Sequence, residues 1–254
     1  MNSFNQHYLY GIVDRHDTGL VAADRMIGPG PLAFKRFGSL AVLTSPVSVS
    51  PIEPKRRDLK AHAHVLEVAM QDRTLLPMRF GIIAEDLSQI GAALEKAETH
   101  LQGLLKQFAD QVEYGVRISW DRDRELRAIL RERPDLVATQ ARLAARGEAG
   151  RYDMIAFGRQ VAELFEARRA AAEAVLLERM SFLLTDHRIK QPEMEDEVFR
   201  ADVLVARQSE DAFAVAVDAA AQAIGATVKL VGPAPVYSFL TVQLDLSVVP
   251  MGAE

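Results

Sequence analysis

The segment TLLPMRFGII at residues 74–83 is almost wholly apolar, yet it contains Pro77, Arg79 and Gly81. Proline lacks the backbone donor that a central strand needs, and a helix does not tolerate proline and glycine at this spacing. The segment therefore predicts an irregular strand, with Pro77 at a sheet edge or bulge and Gly81 at a bend. On such a strand Arg79 points away from its two apolar neighbours, toward solvent or toward a carboxylate partner.

The patterns on either side of this segment predict one sheet covered by two helices. Apolar, aromatic and β-branched runs favour strands, and apolar residues at every third or fourth position favour helices. Strands are predicted at residues 7–13, 40–49, 74–83 and 111–120, and helices at residues 54–71 and 85–108. The order β, β, α, β, α, β favours an α+β fold with a ferredoxin-like N-terminal domain at residues 1–120.

The remaining sequence predicts a second α/β domain at residues 121–247, which carries a long helical arm at about 121–191. Within the arm, residues 151–189 carry apolar residues at steps of 3, 4 or 7, which is typical of a coiled-coil-like stripe. The stripe consists of Met154, Phe157, Val161, Leu164, Ala171, Val175 and Phe182. Further helices are predicted at 122–133, 138–146 and 211–224, strands at 198–207, 227–231 and 237–246, and a tail at 248–254.

The composition excludes several classes of protein. The 254 residues include no cysteine, which excludes disulfides, thiolate nucleophiles and cysteine-ligated metal sites. The net charge of −5 argues against a general nucleic-acid surface, because such a surface needs a basic field. No apolar run reaches the ~18 residues of a membrane span, and the N-terminus lacks a signal-peptide pattern. We therefore expect a cytoplasmic protein that does not enter membranes.

No constellation of residues predicts an active site, a metal or a cofactor. His62 and His64 lie two residues apart, so a helix points them in different directions. The pair His64 and Glu67 has helical spacing but no second copy, and a solvated helix face explains it. The arginines at 122–133 alternate with acidic residues, so this basic stripe is largely self-neutralised. The sequence therefore predicts a protein that is not an enzyme.

A second segment with two prolines, VGPAPVYSF at residues 231–239, allows two interpretations. Its prolines favour an extended connection and Gly232 permits a turn, while Tyr237 and Phe239 share one face of the strand predicted next. The segment is either a stiff loop that leads into a core strand or a rigid surface on which another protein docks.

Four motifs occur in chain order: YLYGIV at 8–13, LLPMRFG at 75–81, VEYGV at 112–116 and GPxPxYSF at 232–239. Together they resemble the GvpF/GvpL family of gas vesicle proteins. Arg57 and HAHVLE at 62–67 also resemble the first long helix of that family. The C-terminal motif departs from the family pattern, since Val231, Ala234 and Val236 stand where threonine, tryptophan and proline are usual. The motifs do not separate the F and L branches.

The resemblance implies a ferredoxin-like N-terminal domain, a second α/β domain with long helices, and a non-enzymatic role in building gas vesicles. Its implied partners are the small hydrophobic shell protein GvpA and other accessory gas vesicle proteins, and its implied location is the gas vesicle. The residues leave two rivals open. One is a small-ligand regulator or enzyme with a polar pocket around Arg79, His62 or His64. The other, less favoured, is RNA binding.

The motif residues are the candidate interaction positions. Pro77 and the connection at 232–236 are interpreted as docking features for an extended partner segment. Arg79 is interpreted as a buried or edge cation that orders the sheet against an acidic partner. The full candidate set is Tyr10, Gly11, Leu76, Pro77, Arg79, Phe80, Gly81, Gly115, Gly232, Pro233, Pro235, Tyr237 and Phe239.

Overall fold

The structure is a computed structural model of the chain, and it describes residues 6–48, 51–147 and 151–240. The chain forms two compact units, one made of residues 1–113 and 232–254 and the other of residues 114–231. Helices and antiparallel strands occur together, which confirms the α+β class. The division differs from the predicted boundary at residue 120, because the chain leaves the first unit within a strand and returns to it at Gly232.

The first unit contains a five-stranded sheet and two helices. The strands are β1 (Gln6–Asp14), β2 (Ala33–Phe37), β3 (Leu40–Val47), β4 (Leu76–Pro77) and β5 (Ile83–Ala84), and the helices are α1 (Arg56–Ala69) and α2 (Leu87–Gln107). The sheet order is β2-β3-β1, and β4 and β5 both pair with the remaining edge of β1. The β2–β3 hairpin is only half predicted, because the sequence pattern predicts β3 but not β2.

The segment 74–83 forms two short strands at the sheet edge instead of one continuous strand. Pro77 lies opposite Gly11 on β1, and Ile83 lies opposite Tyr8. Between the two strands, Gly81 has a φ of +90°, a left-handed conformation that favours glycine. The edge position of Pro77 and the bend at Gly81 are therefore confirmed. A register shift lies in β1, where Tyr10 is the extra residue between Leu9 and Gly11 in the pairing with β3.

The second unit contains a four-stranded sheet and four helices. Its elements are β6 (Gln111–Ser119), α3 (Arg122–Glu132), α4 (Pro134–Ala144), α5 (Arg151–Met180), β7 (Leu184–Ile189), β8 (Glu197–Ala206), α6 (Glu210–Ala223) and β9 (Thr227–Ala234). The sheet order is β7-β8-β6-β9, so β7 and β9 are the edge strands. The loop residues Asp86 and Asp121 cap α2 and α3 through their carboxylates.

The placement of β6 corrects the predicted sheet. We expected residues 111–120 in the sheet of the first domain, but β6 lies between β8 and β9 in the second sheet. Alternating apolar residues predict a strand with one buried face and carry no information about its partners. Since β6 belongs to the second sheet, the ferredoxin-like arrangement of the first unit stays a prediction.

The long helix also ends earlier than predicted. α5 stops at Met180, and residues 184–189 form strand β7, paired with β8. Leu176 and Met180 are fully buried, whereas Phe182, a predicted member of the apolar stripe, is 76% exposed. The prediction of the apolar stripe is therefore wrong at its C-terminal end. Helical spacing of apolar residues does not show which of them pack against other residues.

The predicted strand at 237–246 is wrong where it can be compared, because Tyr237–Phe239 form a turn. The rest of that strand, residues 241–246, and the predicted tail at 248–254 lie outside the described residues. Among the described helices, none has both the length and the apolar composition of a membrane span.

Gly11 provides a test of the sheet edge. A Cβ added at Gly11 would lie 2.8 Å from the Leu76 backbone oxygen and 2.9 Å from a Leu75 methyl carbon. We therefore expect Gly11→Ala to lower the free energy of unfolding by about 1–3 kcal/mol, as overpacking does. Urea denaturation of the full chain measures it.

The matched control is Gly103→Ala in α2, where an added Cβ meets nothing within 4 Å. This substitution should raise the free energy of unfolding by up to about 1 kcal/mol, because alanine favours the helix. Equal effects of the two substitutions would contradict a close approach at Gly11.

Candidate functional site

Residues from three of the four motifs meet around the buried imidazole of His62 in the first unit. The Tyr8 hydroxyl lies 2.9 Å from His62 Nδ1, and the Tyr237 hydroxyl lies 3.3 Å from His62 Nε2. The Tyr10 ring stacks on the imidazole at a centroid distance of 5.7 Å, and the Phe80 ring meets it edge-on at 5.8 Å. The motifs are therefore far apart in sequence but adjacent in the fold. We call these five side chains the His62 cluster.

Backbone groups complete the hydrogen bonds of the His62 cluster. The Tyr8 hydroxyl accepts a hydrogen bond of 3.0 Å from the Gly81 N–H, which ties the bend after β4 to the central strand. The Tyr10 hydroxyl accepts one of 2.7 Å from the Ile27 N–H and lies 3.1 Å from Ser45 Oγ. A buried polar group without a hydrogen-bond partner destabilises the fold. The paired hydroxyls of the cluster therefore connect the loop at Ile27 and the bend at Gly81 to strand β1.

Burial determines the protonation of the cluster. Burial lowers the pKa of His62 to about 4, and a hydrogen bond with the Met78 backbone opposes this shift only in part. Burial also raises the pKa of Tyr8 well above its ordinary value. His62 is therefore neutral near pH 7, and tyrosine hydroxyls already contact both of its ring nitrogens. This arrangement is that of a structural histidine rather than of a general base facing a substrate.

A buried carboxylate holds the C-terminal turn in the first unit. Glu113 accepts hydrogen bonds from the Ser238 N–H at 2.8 Å and from Ser238 Oγ at 2.7 Å. On either side of Ser238, Val236 and Phe239 are buried, at 3% and 6% exposure. The second half of the segment 231–239 is therefore packed, which favours the interpretation as a connection that leads into the core.

The candidate positions thus divide into buried and exposed ones. The buried or partly buried ones are Tyr10, Gly11, Leu76, Pro77, Phe80, Gly81, Gly115, Pro235 and Phe239. Arg79, Gly232, Pro233 and Tyr237 are exposed. The structure brings Tyr10, Phe80, Gly81 and Tyr237 together in the first unit, whereas Gly115 belongs to β6 of the second unit.

The structure gives Arg79 no acidic partner among the described residues. Arg79 is exposed in the connection between β4 and β5, and it forms no ion pair within the described residues. Among the residues that the structure describes, the buried cation is Arg73, whose side chain is 4% exposed. Its guanidinium makes two hydrogen bonds to the Asp72 carboxylate, and its Nη1 donates to the carbonyl oxygens of Asp17 and Gly19 at 3.1 and 3.0 Å.

Arg73 escaped prediction because nothing in the local sequence marks it. It lies in the polar run QDR at 71–73, which is typical of the solvated end of a helix. The carbonyls that it binds are more than fifty residues away in sequence.

His64, unlike His62, lies on a partly exposed face, where its Nε2 is 2.7 Å from Asp24 Oδ1. Within the described residues, no group of three or more histidine, aspartate or glutamate side chains could hold a metal ion.

Comparison with known proteins identifies the family. The family model described as "Gas vesicle synthesis protein GvpL/GvpF" matches residues 6–241. This chain belongs to the GvpL/GvpF family. Gas vesicle protein F of Streptomyces sp. (strain CB03234) is 35% identical over 240 residues, covering 92% of this chain and 98% of the relative. Gas vesicle protein F of Nostoc sp. (strain PCC 7120 / SAG 25.82 / UTEX 2576) is 29% identical over 167 residues, covering 64% of this chain and 68% of the relative.

Crystal structures of GvpL/GvpF proteins share the fold. GvpF from Anabaena sp. PCC7120 superposes with a TM-score of 0.81 at 23% identity, covering 94% of this chain and 99% of that one. GvpF from Microcystis aeruginosa gives a TM-score of 0.73 at 23% identity, covering 92% and 98%. The predicted family is thus confirmed, and the chain functions in gas vesicle formation.

The two arginines provide a test of which cation supports the fold of this GvpL/GvpF protein. We expect Arg73→Ala to lower the free energy of unfolding by about 1–3 kcal/mol, because it removes a buried guanidinium that hydrogen-bonds the Asp17 and Gly19 carbonyls. Arg79→Ala, an exposed substitution, should change it by less than about 0.5 kcal/mol. Urea denaturation of both variants measures the free energy of unfolding. Equal losses of this free energy would contradict a supporting role of Arg73.

The pH dependence of stability tests the His62 cluster. The unfolded histidine has a pKa near 6.5 and the folded one a pKa of about 4, so the unfolded chain binds the proton first as the pH falls. Stability due to neutral His62 is therefore complete above pH 6.5 and is lost between pH 6.5 and pH 4, by about 3 kcal/mol in total. Urea denaturation at several pH values measures this slope.

His62→Gln should remove this part of the slope, whereas His100→Gln, at an exposed position on α2, should leave it unchanged. Burial also lowers the pKa of His7, and its contribution to the slope should remain in both variants. An unchanged slope in His62→Gln would show that the imidazole does not titrate as the geometry requires.

Proposed function

We propose that this protein acts in gas vesicle formation as a non-enzymatic accessory protein that binds the small hydrophobic shell protein of the GvpA type. Other accessory gas vesicle proteins are its further partners, and it works in the cytoplasm and at the gas vesicle. The observation that carries the proposal is the family match over residues 6–241. The ferredoxin-like arrangement of the first unit remains part of this proposal. Relatives named gas vesicle protein F support the F branch.

The exposed part of the C-terminal motif supplies one docking feature. β9 is an edge strand of its sheet, and the exposed side chains of Lys229 and Val231 alternate along it with the partly buried Val228 and Leu230. Val231 is 55% exposed. An edge strand offers unpaired backbone donors and acceptors, so an extended segment of a partner can add to it. An apolar shell subunit would then contact Val231.

The second docking feature is the edge of the first sheet. Pro77 lies on the edge strand β4, and the exposed Arg79 follows it. Since the guanidinium of Arg79 has no carboxylate partner among the described residues, it is free to pair with an acidic group of a bound protein. In this proposal Arg79 keeps its role in binding and loses the one in ordering the sheet.

The rival functions have less support. An enzyme or ligand regulator built around His62 would need ring nitrogens that face a pocket, but the hydroxyls of Tyr8 and Tyr237 contact both nitrogens. RNA binding would need a basic field, and the net charge is −5.

The binding proposal predicts the effect of a charge on the β9 edge. Val231→Glu should weaken association with the shell protein about tenfold or more, because a carboxylate would be buried against an apolar partner. Co-purification and a titration of the full chain with the shell protein measure the effect. The fold should persist, since Val231 is largely exposed.

The matched control is Val215→Glu on α6, where the valine is 70% exposed and lies outside the proposed docking features. It should bind the shell protein like the unmodified chain. The proposal fails if the unmodified chain does not associate with the shell protein and a strain that lacks it still forms normal vesicles.

A further inference from the structure

Helices α3 and α4 of the second unit leave an apolar groove open to solvent. The groove has a volume of about 890 Å³ and is lined by Arg127, Leu130, Arg131, Pro134, Val137, Ala138 and Ala141. We call it the α3–α4 groove. The two helices bury other residues, namely Ile129 on α3 and Leu136 and Leu143 on α4. The groove is therefore a second face of this helix pair, distinct from the one that packs into the unit.

The spacing of the lining residues is that of a helix-packing surface. On α4 they follow the pattern i, i+3, i+4 and i+7 from Pro134 to Ala141, and on α3 the three residues 127, 130 and 131 follow the same pattern. Val137 is 46% exposed in the middle of this face. A stripe of this kind normally packs against another helix. In the second unit it lies open to solvent.

The arginines at the groove differ from the neighbouring arginines in having no carboxylate partner among the described residues. The other arginines between residues 122 and 133 have carboxylate partners: Arg122–Glu195 at 3.3 Å, Arg124–Glu125 at 2.9 Å and Arg133–Asp135 at 2.7 Å. Within the described residues, Arg127 and Arg131 form no ion pair with a carboxylate, and these two line the groove. The self-neutralisation expected from the sequence therefore stops at the groove.

We propose that the α3–α4 groove binds an acidic amphipathic helix of a partner protein. The apolar stripe of that helix packs on Leu130 and Val137, and its carboxylates pair with Arg127 and Arg131. The site is separate from the docking features proposed for the shell protein, so it serves an additional partner segment.

The geometry favours a helix over other occupants. The groove walls are helices, whose backbone groups are already paired, so they offer no ladder to an extended strand. α3 and α4 have 11 residues each, about 16 Å at 1.5 Å per residue, which accommodates about three turns of a bound helix. A small molecule would stay largely in solvent here, whereas small-molecule sites usually enclose most of their ligand.

A designed peptide pair tests the proposal on the full chain. One labelled peptide of about four helical turns carries an apolar stripe flanked by glutamates, and its twin carries lysines in their place. Fluorescence anisotropy should show the acidic peptide binding at least about tenfold more tightly than the basic one, the effect of two exposed ion pairs. The preference should decrease as salt is added.

Charge reversal in the chain locates the binding site. R127E/R131E should weaken binding of the acidic peptide about tenfold or more and should strengthen binding of the basic one. The control R142E/R159E makes the same charge change at exposed arginines of α4 and α5 that do not line the groove, and it should bind the acidic peptide as the unmodified chain does. Likewise, Val137→Gln should weaken binding, and Val215→Gln should not.

Several results would overturn the proposal. These are equal affinity for the two peptides, equal losses in R127E/R131E and R142E/R159E, or preferential binding of a single-stranded RNA oligonucleotide at the groove. Sedimentation that shows R127E/R131E dissociating a dimer of this chain would assign the groove to a second copy instead. Shell-protein binding, measured on the same variants, should survive R127E/R131E, so failure of the groove proposal and failure of the proposed function give different results.

Discussion

The first unit depends on the hydrogen bonding of β1 along both of its edges. β3 pairs with one edge, and the two short strands β4 and β5 pair with the other. The second edge can approach closely because Gly11 has no side chain where the Leu76 carbonyl lies. The Tyr8 hydroxyl, on the same strand, then holds the bend at Gly81. One strand thus determines where an irregular, proline-containing edge can sit.

The His62 cluster extends this constraint to parts of the chain that are distant in sequence. Its hydroxyls, ring nitrogens and backbone donors are buried or partly buried and are paired with one another, so the loss of one group leaves its partner without that hydrogen bond. Side chains from positions 8, 62, 80 and 237 thus form one contact network. The buried motif residues therefore pack within the fold, whereas others, such as Arg79 and Pro233, are exposed to solvent.

The second unit presents surfaces of a different chemistry. The edge strand β9 exposes backbone groups and an apolar side chain, Val231, whereas the α3–α4 groove combines apolar residues with two arginines that lack carboxylate partners among the described residues. One surface suits an extended apolar segment and the other an acidic helix. A protein that takes part in building a multicomponent particle can use such surfaces to recognise different partner segments.

Local sequence pattern by itself determined the α+β class, most helices and strands, the edge position of Pro77, the bend at Gly81 and, through ordered motifs, the family. These features follow from residue spacing and from backbone restrictions of proline and glycine, which act over a few residues. Only the tertiary structure decided that β6 joins the second sheet, that α5 ends at Met180, and that Arg73, not Arg79, is the buried cation. Strand partners, burial and ion pairs depend on groups that are distant in sequence, and a local pattern carries no record of them.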